Sequence, residues 1–175
     1  MATVWRWVFS PKRVATGGLA WLLLAGSGHA AEWATIVPGQ SSMEAVRARF
    51  GSSTRTLTEK VEGYDAARWV YEGAGAPAGI KRMVIEFGLV TPAGYRAEIV
   101  RSLRLEPNPG IFTRAMVLHG WGQPTRFTPE GQLPPSLFYD IGLVVTFDKE
   151  GEQAESLLFI PPQPPTAATP AERRP

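Results

Sequence analysis

A block of 14 residues occurs twice in this chain, and this repeat limits what the rest of the sequence can fold into. Residues 38–51 and 109–122 align at a constant offset of 71, and both have Pro-Gly at the start, a central Val, and an aromatic residue before a final Gly. Runs rich in β-branched and aromatic residues follow each copy, at 68–71 and 83–87 and again at 137–139 and 143–147. One helix followed by strands, twice in the same order, predicts two tandem units.

The repeated block has the signals of a short amphipathic helix. Ser41 and Glu44 match a capping box, so we predict that the first helix begins at Ser42 and stops at Gly51. The shared Val and the aromatic residue four positions later lie on one face of such a helix. In the second copy Phe112 stands where Ser41 caps the first, which predicts a weaker helix start there.

The runs that follow the helices alternate with a period of two, which is typical of half-buried strands. The alternation predicts a sheet face that meets the helices and carries Trp69, Tyr71, Ile85, Phe87, Val145 and Phe147. Residues 148–151 are typical of a hairpin turn. We predict the last strands at 98–105 and 155–160. We therefore expect an α+β fold of two tandem units, 31–107 and 108–160, each a short helix followed by a small antiparallel sheet.

The N-terminus has the pattern of a secretory signal peptide. Arg6, Lys12 and Arg13 precede an apolar run at 19–25, and small residues stand at the first and third places before a cut after Ala30. The run is too short for the roughly 20 residues that span a bilayer. We expect cleavage after Ala30 and a periplasmic or secreted protein; an uncleaved membrane anchor is the alternative.

Cleavage also changes the charge. The formal net charge of +2 becomes 15 − 16 = −1, because three of the 18 bases and none of the 16 acids belong to residues 1–30. A nearly neutral protein without a basic run lacks the electrostatic footprint of nucleic-acid binding.

At the C-terminal end, six of the residues in 161–175 are proline, which predicts a disordered tail; a polyproline-type ligand is the alternative.

The side chains that usually carry chemistry are scarce. There is no cysteine, and His119 is the single histidine after residue 30, so we expect no metal, no cofactor and no catalytic residue. Glu150, Glu152 and Glu155 fall in a turn and along a strand edge, where charges are usually solvated.

Aromatic residues outside the periodic positions are the best candidates for function. Trp33, Tyr64, Tyr95 and Phe127 fall in the segment before the first helix or in loops, where a ring has no evident burial partner. Exposed aromatics are frequent contact anchors, so we predict these four as partner-binding residues.

The outer sheet face is mixed, with Val84, Glu86, Val100, Ser102 and Arg104 in the first unit and Val144 and Thr146 in the second. Such a face either docks a partner or is covered by the other unit, and we expect that the other unit covers it.

The order Pro-Gly, helix, Gly, Trp69-x-Tyr71 and a strand that ends Phe-Asp-x-x-Gly at 147–151 resembles the SmpA/OmlA family, the small outer-membrane assembly lipoproteins also called BamE. The duplication is similar to the tandem arrangement of beta-lactamase inhibitor protein. The resemblance covers about 38–160. It implies a small α+β fold that binds other proteins without catalysis. No cysteine stands at the cleavage site, so a lipid anchor is not implied.

These observations predict an exported, non-catalytic module that binds a protein or a cell-envelope component, with outer-membrane or envelope assembly as the role that the resemblance implies. Two alternatives stay open. A carboxylate-dependent hydrolase of envelope polymers would need a deep pocket with two converging acids. A carrier of a small apolar ligand would need a cavity where Phe50 and Trp121 are expected to pack.

Overall fold

The computed structural model describes residues 30–129, 131–132 and 134–162. The predicted signal peptide up to residue 29 and the predicted tail beyond residue 162 lie outside them. The described residues form, in chain order, α1 Met43–Phe50, β1 Arg55–Val61, β2 Tyr64–Glu72, β3 Ile80–Thr91, β4 Gly94–Pro107, α2 Arg114–Trp121, β5 Arg126–Phe127, β6 Ser136–Tyr139, β7 Leu143–Phe147 and β8 Ala154–Phe159. A single 3₁₀ turn, Gly73–Gly75, follows β2.

The strands form one eight-stranded sheet in the order β1-β2-β3-β4-β8-β7-β6-β5, with every neighbouring pair antiparallel. β4 joins β8 through three pairs that begin at Leu103 and Phe159. The prediction of two tandem units, each with its own small sheet, is therefore wrong. Two separate sheets would leave the edges of β4 and β8 unpaired, and joining them pairs both edges and unites the apolar faces.

One face of the sheet, which we call the helix face, packs against both helices. Val46 of α1 and Val117 of α2 are fully buried in a single core cluster. The six residues predicted for this face belong to that cluster, whose strand residues are Trp69, Tyr71, Ile80, Met83, Ile85, Phe87, Val100, Leu103, Leu105, Leu137, Tyr139, Leu143, Val145, Phe147, Ala154, Leu157 and Phe159. The cluster runs through both halves of the chain, so they share one core.

The two helices begin in the same way. The Ser42 side chain accepts a hydrogen bond from Ala45 N at 3.3 Å, and Thr113, 71 residues later, accepts one from Met116 N at 3.3 Å. Ser41 is not the cap that the sequence predicted, because its Oγ accepts from Val37 N in the preceding turn. The predicted weakness of the second start is also wrong, since the hydroxyl of Thr113 supplies the cap.

The helix ends are fastened to the sheet by two buried tyrosines. The hydroxyl of Tyr71 on β2 donates to Gly51 O at 3.2 Å, and that of Tyr139 on β6 donates to Gly122 O at 3.2 Å. Burial raises the pKa of Tyr71 against the opposing charge of Arg47, and it likewise raises the pKa of Tyr139. Both phenols therefore stay protonated and can donate at neutral pH.

Candidate functional site

The second face of the sheet, which we call the open face, is not covered by either helix. A row of cross-strand neighbours crosses all eight strands on this face: Arg55, Val70, Val84, Arg104, Leu158, Val144, Phe138 and Arg126. The expectation that the second unit would cover this face is wrong, because the two halves lie edge to edge in one sheet. A broad, chemically mixed surface of this kind can bind a partner.

A bulge in β4 changes which residues reach the open face. Glu86 pairs with Ser102 and Phe87 with Val100, so Arg101 is an extra residue between two regular pairs. Val100 therefore lies in the core on the helix face, and its predicted place on the outer face is wrong. The bulge instead brings Arg101 into contact with the carboxylates of the open face.

Four charged side chains close into what we call the ion-pair ring, formed by Glu59, Arg68, Glu86 and Arg101. Arg68 Nη2 lies 2.7 Å from Glu59 Oε2 and 2.7 Å from Glu86 Oε1. Arg101 Nη2 lies 2.9 Å from Glu59 Oε1 and 3.1 Å from Glu86 Oε2. Ser102 Oγ donates to Glu86 Oε2 at 2.9 Å. Each acid thus bridges both arginines across β1, β2, β3 and β4, and the ring has no net charge.

The electrostatics of the ring keep Glu86 ionised. Burial alone raises the pKa of Glu86, but the hydrogen bonds from Ser102 and Arg68 and the charges of Arg101 and Arg68 outweigh it, and the pKa is lowered. The four side chains are between 24% and 35% exposed. Acids that each bridge two guanidinium groups are poorly placed to exchange a proton with a substrate.

Beside the ring lies a shallow depression of about 390 Å³ at the junction of β3, β4 and β8. Val84, Leu158 and Ile160 give it an apolar part, Arg104 and Ser102 lie among these side chains, and Glu86 and Arg101 of the ring line its remaining side. Unlike Arg101, Arg104 has no carboxylate within 4.0 Å among the described residues. The depression therefore offers this cation beside apolar side chains.

Two of the four predicted contact aromatics meet at the end of the open face. The rings of Tyr64 and Tyr95 stack with centroids 4.3 Å apart, at the tips of the β1–β2 and β3–β4 hairpins. Tyr95 Oη donates to Asp65 O at 2.5 Å. The ring of Tyr95 lies over Gly88, where a side chain on residue 88 would collide with it. Tyr64 is 48% exposed, so this pair presents a rigid aromatic surface.

The other two predicted aromatics lie elsewhere. Trp33 has a burial partner, since it stacks on Phe50 at 5.6 Å and packs against the core. Phe127 is 66% exposed on β5, at the far edge of the sheet. It pairs with Leu137 of the helix face, so its side chain lies on that side and not on the open face. The structure thus brings together only Tyr64 and Tyr95.

The ion-pair ring and the depression were not predicted from the sequence. Arg68 and Glu86 occupy alternate positions of apolar strands, a pattern that indicates a polar sheet face but not which charges meet on it. Arg101 gave no such signal, because the bulge interrupts the alternation. Ile160 was predicted only as the end of a strand, and it reaches the depression because β8 lies beside β4.

The described residues contain no group of three or more histidine, cysteine or acidic side chains arranged to hold a metal ion. His119 is exposed in the last turn of α2. Within the described ranges, neither helix has the length and apolar character needed to cross a membrane.

No protein-family model matches the chain, and no curated protein matches its sequence. Among solved structures, the chain is similar to a DUF4309 family protein (YjgB) from Bacillus subtilis subsp. subtilis str. 168. The two share 14% sequence identity with a TM-score of 0.45, over 73% of this chain and 82% of that chain. A similarity at this level supports no inference about activity.

Proposed function

We propose that this protein is an exported, non-catalytic module that binds a protein or a cell-envelope component through its open face. The observation that carries the proposal is the depression, where Arg104 lies among Val84, Leu158 and Ile160 and has no carboxylate within 4.0 Å in the part of the chain that the structure describes. An unpaired guanidinium beside apolar side chains favours a ligand that presents an anionic group next to an apolar one. The stacked Tyr64 and Tyr95 supply a second contact at the hairpin tips.

The geometry favours binding over the two alternatives from the sequence. A hydrolase needs two acids that are free to exchange protons, and the two acids that converge here, Glu59 and Glu86, are each bridged by both arginines of the ring. A carrier needs an internal cavity, and Phe50 fills the expected space by packing edge-on against Tyr71 at 5.9 Å. The resemblance to the SmpA/OmlA family agrees with a binding role and stays a prediction.

Export is part of the proposal, and the mass of the native protein tests it. We expect the protein recovered from the producing cell to begin at Ala31 or within a residue or two of it. A full-length cytoplasmic species would contradict export.

The binding proposal is tested with Arg104→Glu. The protein is immobilised and exposed to envelope extract, captured components are identified by mass spectrometry, and their affinity is then measured by titration calorimetry. Reversing a central charge should weaken binding about thirtyfold or more, which corresponds to about 2 kcal/mol. Tyr64→Ala should weaken binding with little effect on the melting temperature.

Arg96→Glu is the matched control, because Arg96 is also an exposed arginine on β4 but lies in the hairpin arm, 3.2 Å from Glu98. It should bind like the unaltered protein. Equal losses with Arg104→Glu and Arg96→Glu would contradict a site in the depression. Turnover of an envelope polymer that disappears in Glu59→Gln would contradict the non-catalytic function.

A further inference from the structure

The two edges of the sheet differ in how well they are protected. β5 at one edge is only two residues long and lies between Pro124 and Pro129, which cannot donate to a ladder. β1 at the other edge has seven residues, no proline and no bulge in its pairing with β2. Apart from the ladder to β2, no backbone hydrogen bond of residues 55–61 occurs within the described part of the chain. A long, regular edge strand can therefore pair with a further strand.

The exposed side chains of β1 include an apolar one. Leu57, the third of the seven residues of β1, is 40% exposed and lies directly opposite Arg68 on the open face. Arg55 and Glu59 stand two residues to either side of Leu57 and share its face, opposite Val70 and Ala66. The strand thus has an apolar residue between a positive and a negative charge.

This arrangement is self-complementary. If two copies of β1 pair antiparallel with Leu57 at the two-fold axis, Arg55 of each copy stands opposite Glu59 of the other, and Thr56 opposite Thr58. Moving the axis by one residue to Thr58 places Leu57 opposite Glu59 and Arg55 opposite Val61, and the charge pairing is lost. The carboxylate of Glu59 accepts one bond per oxygen from Arg68 and Arg101, which leaves lone pairs for a third cation.

We propose that a second copy of this chain pairs with β1, antiparallel and centred on Leu57. The two sheets then continue into one, the open faces of both copies become a single surface, and the exposed leucines bury each other. A single strand pair buries less than the roughly 1,200 Å² of a stable specific interface, so the dimer should form at micromolar concentrations or above.

The register is tested by thiol cross-linking, for which the chain is suited because it has no cysteine. Directly opposite residues in an antiparallel pair have Cα atoms about 4.5–5.5 Å apart, which a disulfide can span. Under mild oxidation Leu57→Cys should give a disulfide-linked dimer on non-reducing gels. Thr58→Cys should not, because the proposed register places it opposite Thr56. A dimer from Thr58→Cys but not from Leu57→Cys would overturn the proposed register.

Association itself is measured by sedimentation velocity over a range of concentrations. The unaltered protein should move toward twice the monomer mass, whereas Leu57→Lys should stay monomeric while still unfolding in one cooperative transition; a modest loss of stability is expected, since the lysine stands opposite Arg68. Phe127→Lys is the matched control, since Phe127 is the exposed apolar residue of the protected edge, and it should associate like the unaltered protein. A protein that stays monomeric at several hundred micromolar and whose Leu57→Cys variant does not cross-link would refute the proposal. Neither experiment requires the ligand of the open face.

Discussion

Replacing Glu86 with Gln tests whether the ion-pair ring stabilises the first four strands. Glu86 accepts four hydrogen bonds: from Arg68 Nε and Nη2 to Oε1 at 3.0 and 2.7 Å, and from Arg101 Nη2 and Ser102 Oγ to Oε2 at 3.1 and 2.9 Å. Gln keeps the shape of the side chain but removes a negative charge between two guanidinium groups. The side-chain amide nitrogen of Gln is itself a hydrogen-bond donor, so it cannot accept the bonds that one of the Glu86 oxygens accepts from Arg68, or from Arg101 and Ser102.

The size of the effect follows from these contacts. A hydrogen bond to a charged group contributes roughly 1.5–3 kcal/mol in net terms. The four bonds are not additive here, because Glu59 still bridges both arginines and the Glu86 side chain is 25% exposed. We therefore expect Glu86→Gln to lower the free energy of unfolding by about 2–3 kcal/mol in urea titrations at pH 7.

The same variant gives a pH signature. The pKa of Glu86 lies below its ordinary value of 4.5 in the folded protein, so its contribution to stability is present above that value and is lost as the pH falls through the folded pKa. The difference in the free energy of unfolding between the unaltered protein and Glu86→Gln should be largest near pH 7 and should shrink below roughly pH 4. Glu98→Gln is the control, since Glu98 and its partner Arg96 are each 53% exposed, and it should change stability little. Equal losses in the two variants, or a difference that does not change with pH, would refute this reasoning.

Other substitutions test the core and the aromatic positions. Val46→Ala and Val117→Ala should each lower the free energy of unfolding by about 1–3 kcal/mol in urea titrations, because both side chains are fully buried; a loss at only one would contradict their equivalence. Gly88→Ala should lower the melting temperature, because φ is +91° and the added methyl group would meet the Tyr95 hydroxyl; an unchanged value would refute that contact. Trp33→Ala should also lower the melting temperature, because its ring packs against the core; binding loss without destabilisation would instead support its predicted role as a contact residue.

Local patterns in the sequence located the helices and most strands. The helix predicted from Ser42 to Gly51 forms at Met43–Phe50, and its repeat 71 residues later forms at Arg114–Trp121. The alternation of apolar residues placed the core face of the sheet at Trp69, Tyr71, Ile85, Phe87, Val145 and Phe147. These features depend on neighbours within a few residues, so a single sequence contains enough information to predict them.

The candidate site depends on contacts between distant residues. Arg101 reaches the ring only because a bulge shifts β4 by one residue, and Glu59 reaches it only because β1 pairs with β2 in the observed register. Alternation along one strand indicates a face but not the bulge or the neighbouring strand, so the ring was not predictable.

The sequence by itself determined the two helices, most of the strands that follow each of them, and the near neutrality of the chain beyond residue 30. Only the tertiary structure decided that β4 and β8 pair, which makes one sheet, leaves its second face open and creates the depression at Arg104. The physical reason is that backbone hydrogen bonds between strand edges do not depend on side-chain identity. Several pairings therefore satisfy the same sequence pattern, and the packing of the shared core selects one.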